Sequence, residues 1–167
     1  PSFLVKEARK IASSHSQVSL KVINEPEMKK LKMGALLSVT AGSVEPSRLI
    51  ILNYQGGKSN QKPIAIVGKG VTFDSGGISL KPGHKMDEMK FDMCGGAAAI
   101  GIIQSVAVLG LPINVIGIVP ACENLPSGNA TKPGDIITSM SGQTIEVLNT
   151  DAEGRLILAD ACNYRKR

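Results

Sequence analysis

A chain of 167 residues with 43% hydrophobic and 20% charged side chains has the composition of a folded globular protein, which excludes a disordered, collagen-like or coiled-coil chain. Lys and Arg number 19 against 14 Asp and Glu, a formal net charge of +5. With two Tyr, three Phe and no Trp, and with basic residues scattered apart from the terminal Arg165, Lys166 and Arg167, the sequence argues against nucleic-acid binding as the main function, which stays a lesser alternative resting on the basic surplus alone.

From the N-terminus, Leu4, Val5, Ala8, Ile11 and Ala12 recur at helical spacing after Ser2, which predicts an amphipathic helix ending near Ser13 and Ser14. Charges fall within Pro1 to Lys10 where the apolar centre of a secretory leader would lie, so no leader is read there. Val18 to Val22 alternates as a strand, Asn24 caps a short helix carrying Glu27, Met28 and Leu31, and Gly34 to Val39 forms another short helix stopped by Ala41, Gly42 and Ser43. Leu49 to Leu52 and Ile64 to Val67 are apolar runs separated by the turn-like Gly56 to Asn60, and both read as strands buried on two faces. A glycine-rich loop follows from Gly68 to Met86.

Gly95 to Leu109 reads as a helix and Ile113 to Val119 as a strand. The whole stretch from Cys94 to Cys122 lacks charge and by hydropathy resembles a membrane span. Gly110 and Pro112 interrupt it, and Ile113, Val115, Ile116, Ile118 and Val119 favour a strand, so a buried helix and a buried strand are expected, with no membrane association. Gly128 to Gly134 is a loop, Ile136 to Thr138 and Ile145 to Leu148 are short strands, and a helix from about Gly154 to Tyr164 closes the chain. Helices alternating with apolar strands predict an α/β fold, a mainly parallel or mixed sheet flanked by helices. Cys94, Cys122 and Cys162 are widely spaced with no CxxC pair, which fits a reducing compartment and core packing.

Two nucleotide signatures fail on inspection. Gly57-Lys58-Ser59 has Leu52 where a Walker A loop needs its first Gly, and Gly68-Lys69-Gly70 meets Phe73 where a dinucleotide fingerprint needs its third. His15 and His84 are the only histidines and lie far apart, so catalysis rests on other groups. The acids fall more tellingly. Lys69 and Asp74 follow the strand ending at Val67, Asp92 precedes the helix at Gly95, and Asp151 and Glu153 follow the strand ending at Leu148. Ligands in open α/β sheets collect beyond the carboxyl ends of strands, and in an extended segment residues two apart, such as Asp151 and Glu153, point the same way. Four carboxylates in one cleft repel unless cations neutralise them, and two bridged metal ions would do so. Spacing alone leaves blander readings open: a turn Asp in a Gly-rich loop, a helix N-cap or first-turn acid, and Lys69 and Lys81 as solvated charges.

Val67 to Pro82 (VGKGVTFDSGGISLKP), Lys90 to Gly96 (KFDMCGG) and Asn149 to Leu156 (NTDAEGRL) closely resemble the leucyl aminopeptidase family, the cytosolic dimetal aminopeptidases, and 122–135 (CENLPSGNATKPGD) is similar as well. The resemblance implies a phosphorylase/hydrolase-like α/β fold and a cytoplasmic metallopeptidase that hydrolyses the N-terminal bond of peptides, with a preference for leucine-like residues, by a water activated between two metal ions. It further implies that Lys69, Asp74, Asp92, Asp151 and Glu153 bind two divalent ions, Mn or Zn, with Asp74 and Glu153 bridging. Lys81 would stabilise the oxyanion, and Arg155 would hold a bicarbonate that acts as general base. A lysine ligates metal only when neutral, so Lys69 would have to lose its proton despite an ordinary pKa of about 10.4. Gly76 and Gly77 are expected to turn the backbone tightly beside the metals, and Gly95 and Gly96 to let the helix approach closely.

Members of that family are longer and form homohexamers, with an α/β domain before the matched region and more catalytic domain after it. Residues 1–167 therefore read as the N-terminal part of the catalytic domain, truncated relative to the family. An inactive piece that only folds or self-associates through apolar surface is the alternative.

Overall fold

Alternation in the longest apolar run sets the architecture: Val115, Val119 and Ala121 pack into one core and Ile118 and Cys122 into another, so a single strand is buried on both faces. A computed structural model describes residues 1–165 of the chain; Lys166 and Arg167, part of the basic terminus, lie outside the described residues. Its elements in chain order are α1 (Ser2–Ser14), β1 (Val18–Asn24), α2 (Glu25–Lys30), α3 (Gly34–Thr40), β2 (Arg48–Gln55), β3 (Ile64–Val67) and β4 (Gly70–Asp74). They continue with α4 (Cys94–Val108), β5 (Asn114–Asn124), β6 (Ile136–Thr138), β7 (Thr144–Glu146) and α5 (Glu153–Tyr164), with tight 3₁₀ turns at Met86–Phe91 and Thr150–Ala152.

Five strands form one sheet in the order β1-β2-β5-β3, with β4 also paired to β5, and β6 and β7 form a separate hairpin. β1 and β2 run antiparallel, as do β2 and β5, whereas β3 and β4 run parallel to β5. The α/β architecture with a mixed sheet flanked by helices is as expected, but the sheet is not mainly parallel. Helices α1 and α4 cover one face through Leu4, Ala8, Ile11, Ala99, Ile100, Ile103 and Val106. On the other face α2, α3 and α5 pack Met28, Leu36, Val39, Ile157 and Ala161 against Leu49, Ile51, Val71, Ile118 and Cys122.

Local signals worked where they were self-contained. The Asn24 side chain accepts a hydrogen bond from Glu27 N at 3.2 Å, with acids in the first turn of α2 and lysines in its last. Several expectations need correction. The loop from Gly68 to Met86 contains β4, and β5 runs through Pro120 to Asn124 rather than ending at Val119. β3 is an edge strand paired only to β5, so Ile64 is exposed and the strand is not buried on two faces. Cys122 is buried, its thiol pushed up to about 12 by burial, but Cys94 and Cys162 are exposed and pack no core. The helical stretch Met86–Val108 is long and apolar enough to cross a membrane by length and composition. It is divided into the 3₁₀ turn and a 15-residue α4 that packs on the sheet by one face only, leaving Ile102, Val108 and Leu109 exposed where a buried helix was expected.

β3 and β4 are two halves of one edge. Val67 lies opposite Ile118 and Gly70 opposite Ala121, so the register holds across the break at Gly68 and Lys69. A bulge then follows: Val71 pairs with Cys122, Phe73 with Glu123 and Asp74 with Asn124, leaving Thr72 without a ladder partner. The extra residue keeps Val71 and Asp74 on the same side of the sheet although they are three apart, a re-aiming typical of bulges beside functional sites.

Helix α3 begins at Gly34 without a side-chain cap of its own. The fully buried Asp160 of α5 supplies one from a distance, its Oδ2 accepting from Leu36 N at 2.9 Å and its Oδ1 from Met140 N at 2.7 Å. Burial pushes this carboxyl above its ordinary value against the opposing backbone hydrogen bonds. Asp160→Asn, whose amide offers one acceptor for two donors, is expected to cost about 1–3 kcal/mol in urea unfolding. Because the folded value is raised, the Asp160 contribution is full below the ordinary aspartate pKa of about 3.9 and declines as pH rises through the raised value. The gap between wild type and variant should therefore narrow from pH 4 to pH 7.

Candidate metal centre

Asp74 and Asn124 end β4 and β5 side by side, at the carboxyl ends of parallel strands where open α/β sheets collect ligands. Past Asp74 the chain reverses at Gly76 and Gly77, whose φ angles of +90° and +68° suit residues without a Cβ. Gly76 N donates to Asp74 Oδ1 at 3.0 Å and Lys81 N to Ser75 O at 2.9 Å, which closes the turn. The reversal returns Lys81 to the strand end. Its Nζ sits 2.9 Å from Asp74 Oδ2 and contacts Asp151 Oδ1.

Lys69 leaves the sheet at the break between β3 and β4. Its Nζ lies 2.7 Å from Asp92 Oδ2 and 2.5 Å from Glu153 Oε1. The start of α4 packs directly on this break: Gly96 N donates to Lys69 O at 2.6 Å, and a Cβ on Gly96 would fall 2.6 Å from Val119 Cγ1, so the close approach expected of the glycines is present. Asp151 and Glu153 face the same space for a reason other than the one expected. They lie not in an extended segment but in a 3₁₀ turn that Asn149 caps, accepting from Asp151 N at 2.8 Å, and in the first turn of α5 that follows. Glu153 is buried there, its charge facing the helix N-terminus.

Carboxylate oxygens of Asp74, Asp151 and Glu153 lie within 4.8 Å of one another. Asp92 stands outside this trio and joins it through Lys69. Arg155 does not reach the cluster through any ion pair among the described residues; it is exposed and borders an adjoining cavity of about 350 Å³ with Leu148, Asn149 and Ala152. Burial pushes Asp92 and Glu153 above the usual carboxylate range, with the Lys69 charge opposing. Burial also pulls on Lys69 and Lys81, but their carboxylate partners outweigh it and hold both amines above the ordinary lysine value. In this arrangement Lys69 lies between two acids, Asp92 and Glu153.

The donor set fits divalent cations. Asp92 Oδ2 and Glu153 Oε1 are buried and, among the described residues, receive no well-directed hydrogen bond and have the Lys69 ammonium as their one charged partner. Carboxylates with one amine and no thiolate or imidazole suit Mn, Mg, Co or Zn. Reading the sequence assigned no role to Asn124, Thr150, Ser75 or Ser79, which knit the site from behind: Asn124 Nδ2 donates to Asp74 Oδ1 at 2.8 Å and to Thr150 O at 3.0 Å, and Ser75 Oγ to Asn124 O at 2.8 Å. Following β5 past Pro120 would have placed Asn124 at a strand terminus and so among the candidates.

The sequence model of the cytosol aminopeptidase family, catalytic domain, matches residues 1–167. The chain is 58% identical over 167 residues to a probable cytosol aminopeptidase of Methylobacillus flagellatus, covering 34% of that protein. It is 59% identical to one of Nitrosococcus oceani and 56% identical to one of Thioalkalivibrio sulfidiphilus, covering 33% and 34% of them. All of this chain aligns in each case, and it spans about a third of the length of these relatives.

Lys69→Met leaves Asp92 and Glu153 without their cation. Metal-free protein in EDTA should lose about 1–3 kcal/mol in urea unfolding, the buried charges being partly open to water.

Proposed function

The chain belongs to the cytosol aminopeptidase family, and on that footing we propose that it forms the metal-binding part of a metal-dependent exopeptidase that removes N-terminal, preferentially leucine-like, residues from peptides. The convergence of Asp74, Asp151 and Glu153 to within 4.8 Å at the carboxyl ends of parallel strands carries the reading. Lys69, Asp74, Asp92, Asp151 and Glu153 would hold two divalent ions, Mn or Zn. Four carboxylates match two dications in charge. When bound, such a pair supplies Lewis acidity toward the substrate's free α-amine and carbonyl and lowers the pKa of a water.

The remaining roles belong to the chain itself. Lys69 would ligate as a neutral amine, its proton released to solvent on metal binding, and Lys81, already beside Asp74 and Asp151, would direct its ammonium toward the oxygen on which charge develops. Arg155 lies in the first turn of α5, where a cation is disfavoured by the helix dipole, and it has no acid partner among the described residues. Both facts suit a bound anion, and bicarbonate acting as general base fits there. Cytosolic action follows the name of the relatives, and assembly into homohexamers accords with the uncharged outer face of α4.

That same face, with Ile102, Val108 and Leu109 exposed, favours one competing reading: a chain of this length that folds and self-associates without turnover. Release of chromophore from a leucyl amide in the presence of Mn or Zn decides between them. Turnover should be abolished by Asp151→Ala and reduced about 10²- to 10³-fold in kcat by Lys81→Ala. A folded, metal-loaded chain that turns over nothing supports the association reading.

A further inference from the structure

We propose that Asn124 is a positioning residue of this centre, the joint that holds Asp74 and the turn bearing Asp151 at a fixed separation; the inference rests on the metal-binding reading above. Asn124 is the last residue of β5 and is 4% exposed. The parallel register places it directly beside Asp74, and the bulge at Thr72 is what brings these two residues opposite each other. In a regular ladder continued from Val71 and Cys122, Phe73 would stand beside Asn124 and Asp74 would face the other side of the sheet.

A primary amide has two N–H donors in one plane, and both are used. One goes to Asp74 Oδ1 at 2.8 Å, the other to Thr150 O at 3.0 Å, the carbonyl immediately before Asp151. With Gly76 N also donating to Asp74 Oδ1 at 3.0 Å, that oxygen is occupied from behind, while Oδ2 is left to face the cationic side of the pocket, 2.9 Å from Lys81 Nζ. The carboxylate therefore has one rotamer that satisfies its partners. On the far side, Thr150 Oγ1 donates to Gly76 O at 2.6 Å and accepts from Ser79 N at 2.8 Å, and Thr150 N donates to Ser79 Oγ at 3.1 Å. Strand end, glycine turn and 3₁₀ turn thus form one hydrogen-bonded body whose shared member is the Asn124 amide.

The amide suits this place better than its closest replacements. Aspartate has the same shape but no donors, and it sets a second negative charge against Asp74. Alanine removes the side-chain donor to the Thr150 carbonyl. Neither change removes a residue that would touch the ions, so the effect of alanine on them passes through Asp74 and Asp151, whereas aspartate also adds its own charge beside them.

The test is Mn²⁺ binding by titration calorimetry and the visible absorption of bound Co²⁺, measured on wild type, Asn124→Ala and Asn124→Asp, with urea unfolding in EDTA alongside. Mn²⁺ affinity is expected to fall about 10- to 100-fold in the folded variants, and the Co²⁺ bands to shift. A structural role alone would lower the unfolding midpoint and leave both unchanged, and that result overturns the proposal. If Asn124→Ala does not fold, the isosteric Asn124→Asp decides by the same two readouts. Wild type that binds no Mn²⁺ overturns the metal-binding reading itself, whereas wild type that binds as tightly as its variants overturns only the role of Asn124.

Discussion

Repulsion among four carboxylates drawn from three chain segments is the constraint around which the rest of this chain is organised. Asp74, Asp92, Asp151 and Glu153 meet in a pocket partly closed to water, where like charges resist being ionised together. Two lysines from the same segments answer that repulsion, Lys69 between Asp92 and Glu153 and Lys81 between Asp74 and Asp151. This pairing offsets half of the four negative charges. It lets the acids stay close without the fold having to push them apart. The net charge of +5 takes on a different meaning in this light, because part of the acidic complement is turned inward and the surplus on the outside belongs to scattered lysines and arginines.

The sheet supplies the frame that makes convergence possible. Antiparallel β1 and β2 widen the hydrophobic base, but only the parallel strands β4 and β5 end together and deliver side chains to one place. α4 brings Asp92 in by packing its glycine-rich start on the Lys69 backbone, and α5 brings Glu153 in at its first turn. Seven residues along α5, Asp160 fastens that helix to α3 and to the turn between β6 and β7. The position of Glu153 is therefore fixed both by what it faces and by how the far end of its helix is tied.

Elements governed by their own few residues were legible in the sequence. The periodicity of α1, the Asn24 cap and the bounds of β3 depend on neighbours in the chain, and the motifs around Lys69, Asp92 and Asp151 carried the family resemblance. What escaped depends on partners distant in sequence. β4 hid in a glycine-rich run because its glycines serve the turn after it rather than the strand, and β5 continued past Pro120 because its ladder partners on both sides outweigh one missing N–H. The alternation that seemed to aim Asp151 and Glu153 was replaced by a 3₁₀ turn. Exposure of Cys94 and Cys162 is likewise decided by which helix face meets the sheet, not by residue type.

The bulge at Thr72 has a meaning for how such chains can vary in length. Val71 is fixed by its core partners and Asp74 by its bond to Asn124, and Thr72 is the slack between these two anchors, its hydroxyl donating to Cys122 O at 3.2 Å. Length and orientation are uncoupled at this one position. A chain one residue shorter there would run a regular ladder and still present its aspartate beside the asparagine, so an alignment gap at Thr72 carries no geometric penalty. The same gap between Asp74 and Gly77 would dismantle the turn that returns Lys81 to the strand end.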